Sequence, residues 1–268
     1  MAEFAPPSFQ QQSVQLRRWW ITALLITVNV GLFLWQVLHG MNISQPAIAD
    51  AIYWGADYAP LTFLAEPQRL FSSMFFHFGL IHLMLNMWAL YIFGSVAEQL
   101  FGHRFFIGLY LLAGLMGSLY SGYISIQSSL LLLQNFDPAD LPRVSAGASG
   151  AVMGLGGALT VLSLLPPLPR QTLLLDKKSL LIIMGINLAM GMMIAGINNA
   201  AHLGGMMMGA GLALLWYISQ RVKLAWGGLL ALMLGAGLCW WLYQDNLQQL
   251  EVIQQIWQSL LIEMLRKT

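Results

Sequence analysis

The sequence predicts an all-α fold, a polytopic bundle of membrane-spanning helices, and three observations carry that prediction. The composition is 58% hydrophobic and 9% charged, with 10 Trp and 16 Met, too apolar for a soluble domain of 268 residues. Charges fall in short separators between long uncharged windows, such as Val144–Pro169. Most of these windows match the roughly 20 apolar residues that a helix needs to cross a bilayer.

Each element follows from those windows. The first span lies near Trp19–Gly40, the second near Leu70–Ala97, the third near Phe105–Ile126 and the fourth near Ala146–Leu165. The uncharged run Ser179–Gln220 is roughly twice the length of one crossing, and the turn-like Gly196-Ile197-Asn198-Asn199 splits it into a fifth and a sixth span. A seventh runs from about Leu224 to Tyr243. The first span is too long to be a removed signal peptide and lacks a small-residue cleavage site. From Asp245 to Thr268, Leu250, Ile253, Trp257, Leu260 and Met264 recur at helical spacing, which predicts an amphipathic tail lying at the interface. The chain divides into an N-terminal segment 1–18, a six-helix domain 19–220, and the seventh helix with its tail, 221–268.

Orientation follows from the basic residues. With the N-terminus in the cytoplasm, the inner segments hold Arg17, Arg18, Arg104, Arg170, Lys177, Lys178, Arg221 and Lys223, eight of the twelve Lys and Arg. The outer segments hold Arg69, Arg143, Arg266 and Lys267, so the C-terminus is expected outside. A net charge of +1 gives no reason to expect a nucleic-acid partner, and the single cysteine, Cys239, excludes a disulfide framework or a Cys-based metal site.

Polar residues inside spans demand an explanation, because hydrocarbon offers them no partner. The second span carries His77, His82 and Asn86, the last two on one helix face. The sixth opens on "NNAAHLGGMMMGAG", with His202 about one turn in, and Ser149 stands near the start of the fourth in "SAGASGAVMGLGGA". Taken singly, Ser149 reads as helix-packing glue, Asn86 as an interhelical hydrogen bond, and either histidine as a core residue. Their conjunction at matching depth points to a polar pocket.

A serine hydroxyl is a poor nucleophile until a base takes its proton, and His202 is the candidate base. Gly147, Gly150, Gly154 and Gly157 on one helix would face Gly205 and Gly209 on the other, and small residues permit the close approach that brings His202 to Ser149. No Asp or Glu occurs within the spans that carry these residues, so the arrangement is a Ser-His dyad. Attack on a peptide carbonyl makes an oxyanion, for which His82, Asn86 and the backbone N–H of Ser149 are the available donors. His77, expected one turn nearer the outer surface, supports the loop or the hole. Arg69 and Glu98 are structural, tying loop and helix ends.

These residues resemble the rhomboid intramembrane serine proteases. His77-x4-His82-x3-Asn86 is similar to the family's second-helix motif, Gly147-Ala148-Ser149-Gly150 to its Gly-x-Ser-Gly, and Ala201-His202-Leu203-Gly204-Gly205 to its Ala-His-x-Gly-Gly. Gly55-Ala56-Asp57 with Arg69, and Glu98-x3-Gly102, are subsidiary matches. The resemblance implies a six-helix core with a seventh helix as a known variant. It also implies cleavage of single-pass membrane proteins near the outer boundary, with no cofactor and no metal, in a bacterial cytoplasmic membrane. Two positions depart from the pattern: Gln68 where the family often has Trp, and Met153 where many members carry an aromatic against the histidine. Met153 offers a softer sulfur contact instead. Two other classes were weighed. A rhomboid-like client-binding protein would have lost Ser149 or His202. A transporter using His77, His82 and His202 as zinc ligands would be expected to show an inverted repeat or a carboxylate on its path.

Overall fold

The computed structural model describes residues 18–134, 137–169, 171, 173, 175–193 and 198–267. Helix α1, Trp20–Leu38, begins where a buried carboxylate meets it. The first backbone N–H groups of a helix lack internal partners, and their positive end favours an anion. Glu98 fills that role, accepting from the Ile21 N–H at 3.0 Å, the Thr22 N–H at 2.7 Å and the Thr22 hydroxyl at 2.7 Å.

Three short helices follow in the loop after α1: α2 (Ile48–Tyr53), α3 (Ala59–Leu64, with Pro60 in its first turn) and α4 (Arg69–Ser72), which runs into a 3-10 turn at Ser73–Phe75. The second span, α5, then covers Leu80–Phe101 rather than Leu70–Ala97. Its start is fixed by Gly79, whose φ of +92° is open to glycine. A Cβ there would overlap the Ser44 carbonyl, and the Leu80 N–H donates to the Ile43 carbonyl at 2.8 Å. The apolar residues from Leu70 to Phe78 therefore belong to the loop, which apolarity alone does not distinguish from helix.

Helix α6 (His103–Leu131, 29 residues) extends beyond the expected span at both ends, and α7 (Ser149–Leu164) begins at Ser149 instead of Ala146. The long uncharged run divides as expected into α8 (Lys177–Met193) and α9 (Asn199–Arg221). Gly196 and Ile197 of the expected turn lie outside the described residues. Asn198 caps α9, its Oδ1 accepting from the Ala201 N–H at 3.0 Å.

The last helix, α10, is one continuous element of 41 residues, Gly227–Lys267. At 1.5 Å per residue it is about 60 Å long, against about 30 Å of hydrocarbon. The expected interfacial tail is thus the continuation of the seventh span. Its stripe of Leu250, Ile253 and Trp257 is buried against α6 and α3, so the apolar face meets protein instead of lipid.

Five of these helices, α1, α5, α6, α9 and α10, are long and apolar enough to cross a membrane, and α7 is a shorter apolar helix. Trp88, Trp241 and Ile81 stand among many large apolar side chains on the outer faces, as expected of surfaces that meet lipid. Helix α7 is the centre: nearly every residue from Gly150 to Leu159 is buried, and α5, α6, α8 and α9 pack around it. The loop after α1 and the segment leading into α7 meet at one end of the bundle, where Asp57 pairs with Ser145.

Candidate active site

Glycines decide how close α7 and α9 come. A Cβ on Gly205 would overlap the Gly150 carbonyl, and one on Gly209 would overlap the Gly154 carbonyl. A Cβ on Gly150 would stand 3.4 Å from the Ala201 carbonyl oxygen, an ordinary contact distance, so at this level there is room for a single small side chain and little more. Ser149 and His202 are the chain neighbours of Gly150 and Ala201 and thereby flank this contact. Helix α6 closes the third side with Gly117, where a Cβ would come within 2.8 Å of the same Ala201 oxygen. Gly157 faces the Met206 backbone, completing the seam.

Gly147 has a different place from the one expected. It precedes α7, with a φ of +124°, and packs against α5: a Cβ would lie 2.9 Å from His82 Cε1, 3.0 Å from its Nε2 and 3.9 Å from Asn86 Nδ2. Only hydrogen fits between this backbone and the two side chains. The Gly147 N–H is held by the Ser73 carbonyl at 2.9 Å.

Hydrogen bonds orient the α5 residues. His82 Nδ1 accepts from the Phe78 N–H at 3.1 Å, so in the neutral ring the proton sits on Nε2, the nitrogen beside Gly147. Asn86 donates one Nδ2 hydrogen to the His82 carbonyl at 3.0 Å, leaving the second free. Ser149 is half-buried at the first position of α7, where its N–H has no intrahelical acceptor. His202 is 8% exposed, and its Nδ1 is buried without a hydrogen-bond partner. Met153, one turn after Ser149 on the same face, is buried.

His77 corrects a reading made from spacing. It lies in the loop before α5 rather than within the helix, fully buried, with its ring 5.3 Å from that of His82. Starting the second span at Leu70 carries His77 into the helix, where the structure has loop. Arg69 donates to the Ile52 carbonyl at 2.7 Å and the Ala56 carbonyl at 2.9 Å, and its Nε to Glu66 at 2.9 Å, fastening the end of α2 to α4. Glu98 sits at the other end of α5 under α1, with His103 Nδ1 2.7 Å away.

Sequence reasoning missed the brace on the serine segment. Asp57 and Ser145 exchange both backbone hydrogen bonds, at 2.9 and 2.8 Å, and Thr62 donates to the Asp57 carboxylate at 2.6 Å. Burial pushes the Asp57 carboxyl up to about 6. The Gly-Ala-Asp match flagged this position, but its partner lies across a long loop and leaves no local signal. Ser121 of α6, which accepts from Asn198 Nδ2 at 2.6 Å, was missed too; the small residues of "GLMGSLYSG" are the pattern that marks such close packing. Among the described residues, no group of three or more His, Cys, Asp or Glu is placed to hold a metal ion.

The rhomboid domain model matches residues 65–221, more than half of the chain. The chain is 29% identical over 188 residues to the rhomboid protease GluP of Bacillus subtilis, covering 70% of this chain and 33% of that protein. It is 26% identical over 201 residues to the rhomboid protease AarA of Providencia stuartii, 71% of this chain and 70% of the relative. It is 38% identical over 185 residues to RHOMBOID-like protein 2 of Arabidopsis thaliana, 67% of this chain and 52% of the relative. The chain therefore spans a third of the Bacillus protein and about half of the Arabidopsis one. With the serine, histidine and glycine motifs inside the matched region and the helices packed around α7, the chain belongs to the rhomboid family of integral membrane proteins.

Proposed function

We propose that this chain is an intramembrane serine endopeptidase that cleaves single-pass transmembrane proteins near the outer membrane boundary with a Ser149-His202 dyad. The observation that carries the reading is the close meeting of α7 and α9 where Gly205 lies on the Gly150 carbonyl, with Ser149 next to Gly150 and His202 one turn before Gly205, beside His82 Nε2 and Asn86 Nδ2 at Gly147. The names of two relatives as proteases favour it.

In this reading His202 takes the proton as Ser149 Oγ bonds to the scissile carbonyl carbon. The negative oxygen that forms is met by the Ser149 N–H at the α7 terminus, by His82 Nε2–H and by the free Asn86 hydrogen. His202 then gives its proton to the leaving amine, and a water, deprotonated by the same ring, releases the acyl group from Ser149. His202 Nδ1 has no acceptor in place, so packing rather than a third carboxylate orients the ring. His77 supports His82 from behind. The N-terminus is assigned to the cytoplasm and the C-terminus to the outside of a bacterial inner membrane, on the distribution of basic residues.

The test is labelling of the detergent-solubilised full chain with a fluorophosphonate. Wild type is expected to label, and Ser149→Ala to lose both label and cleavage of a transmembrane substrate, with cleavage unaffected by strong chelators. A folded wild type that binds membrane clients without labelling or cleaving would favour the client-binding reading.

A further inference from the structure

The distal half of α10 reaches the serine segment through a chain of packed and hydrogen-bonded residues. Trp257 is fully buried, and its indole N–H donates to the Ser129 hydroxyl of α6 at 2.9 Å. Its ring lies 6.5 Å from that of Phe63 on α3, and Tyr243 stacks on the same Phe63 at 6.1 Å. Phe63 fills a notch at Gly122 of α6, where a Cβ would overlap its ring. The next residue back, Thr62, is the donor to Asp57, and Asp57 is the backbone partner of Ser145, four residues before Ser149. Glu263, further along α10, is near enough for its charge to bear on Tyr58, the neighbour of Asp57.

We propose that Trp257 and Phe63 are positioning residues: the C-terminal half of α10 clamps α3 against α6, and through Thr62, Asp57 and Ser145 sets the backbone that delivers Ser149. The catalytic consequence rests on the protease reading; the mechanical one does not. Ahead of α7 the segment that delivers Ser149 is hydrogen-bonded to loop residues, Ser145 to Asp57 and Gly147 to Ser73, so the stability of that loop sets the precision of the oxyanion donors. Misplacement by a fraction of an ångström is costly in such a site. The clamp accounts for why α10 continues so far past the length of one crossing.

The experiment uses the full chain in detergent micelles, with hydrogen exchange at the Asp57 and Ser145 amides beside steady-state cleavage. Trp257→Ala is expected to speed exchange at both amides about tenfold, an ordinary size for coupling between sites, and to lower kcat by a similar factor at unchanged KM. Trp257→Phe restores most of both. Thr62→Val, which leaves the aromatic contacts in place, gives the same pair of effects. Unchanged exchange at Asp57 and Ser145 in Trp257→Ala overturns the proposal, as does exchange raised equally throughout α7 and α9. Because exchange is read without substrate, its outcome stands apart from whether Ser149 is the nucleophile.

Discussion

Two helix seams run through this molecule and are built on opposite principles. Between α7 and α9 the contact is backbone on backbone: Gly205 lies on the Gly150 carbonyl and Gly209 on the Gly154 carbonyl. Between α6 and α10 the contact is made by side chains: Asn246 donates to the Leu119 carbonyl at 3.0 Å, Gln127 to Gln249, and Trp257 to Ser129. In lipid, where water cannot drive helices together, both are effective, since close van der Waals packing and interhelical hydrogen bonds each hold helices. The difference lies in tolerance. A glycine seam has no side chain to reorient, and at Gly205 and Gly209 it has no room for an added Cβ. A side-chain seam adjusts its rotamers and serves for support.

That contrast is tested hardest at Ser149 and His202, the proposed dyad. Ser149→Ala and His202→Ala should each abolish cleavage while melting close to wild type; residual wild-type activity in either purified variant removes the dyad. Next comes the seam itself. Gly205→Val should lose activity and lower the melting temperature, because the added atoms meet the Gly150 backbone, and overpacking of this kind costs roughly 1–3 kcal/mol or more. Full activity in Gly205→Val breaks the comparison even if the protease assignment stands.

Removing one oxyanion donor is the third step. His82→Ala and Asn86→Ala should lower kcat by on the order of 10²–10³, the loss seen when a single such donor is removed, while serine labelling is partly retained. His82→Ala should be at least as severe, since its ring also packs against Gly147. His77→Ala should track melting temperature; complete inactivity in a stable His77→Ala protein would move that residue into the reaction.

Smaller effects sharpen the picture at the loop and at α10. The Asp57 carboxyl releases its proton near 3.8 when unfolded and near 6 when folded, so the folded state binds the proton more tightly. Its contribution to stability is full below pH 3.8, declines as pH climbs to 6 and is flat above. The change is about 3 kcal/mol at 1.36 kcal/mol per unit, and melting curves from pH 4 to 7 should show it in wild type and lose it in Asp57→Asn. Least of all, Asn246→Leu should change stability by less than about 1 kcal/mol, in keeping with measured hydrogen bonds between membrane helices, and leave cleavage intact. A large loss there would mean that the side-chain seam is as exacting as the glycine one.

Much of this was legible beforehand, and the misses share a cause. Windows of apolar residues marked the helices, five of them long and apolar enough to cross a membrane, and motif and helical spacing put Ser149 on α7, His202 on α9, and His82 and Asn86 on α5. The second span was started ten residues too early because Leu70–Phe78 is as apolar as a helix in lipid; what ends the loop is the contact of Gly79 with Ser44, which is not local. Gly147 was grouped with the seam glycines by its spacing from Gly150, yet it precedes the helix and faces His82. The apolar stripe of the tail does not announce whether lipid or protein will cover it; in the fold it is α6 and α3 that do.

The sequence by itself determined the fold class, the family and the chemical types at the site, because each depends on composition or on spacing within one element. Hydrocarbon forces backbone into helices of a known length, and motifs within one helix keep their geometry wherever that helix goes. Only the tertiary structure decided that α10 runs unbroken to brace α3, that Asp57 pairs with Ser145, and that His77 is buried behind His82. Those facts join residues far apart in the chain. They are settled by which surfaces meet when the helices pack, and no short-range pattern encodes that outcome.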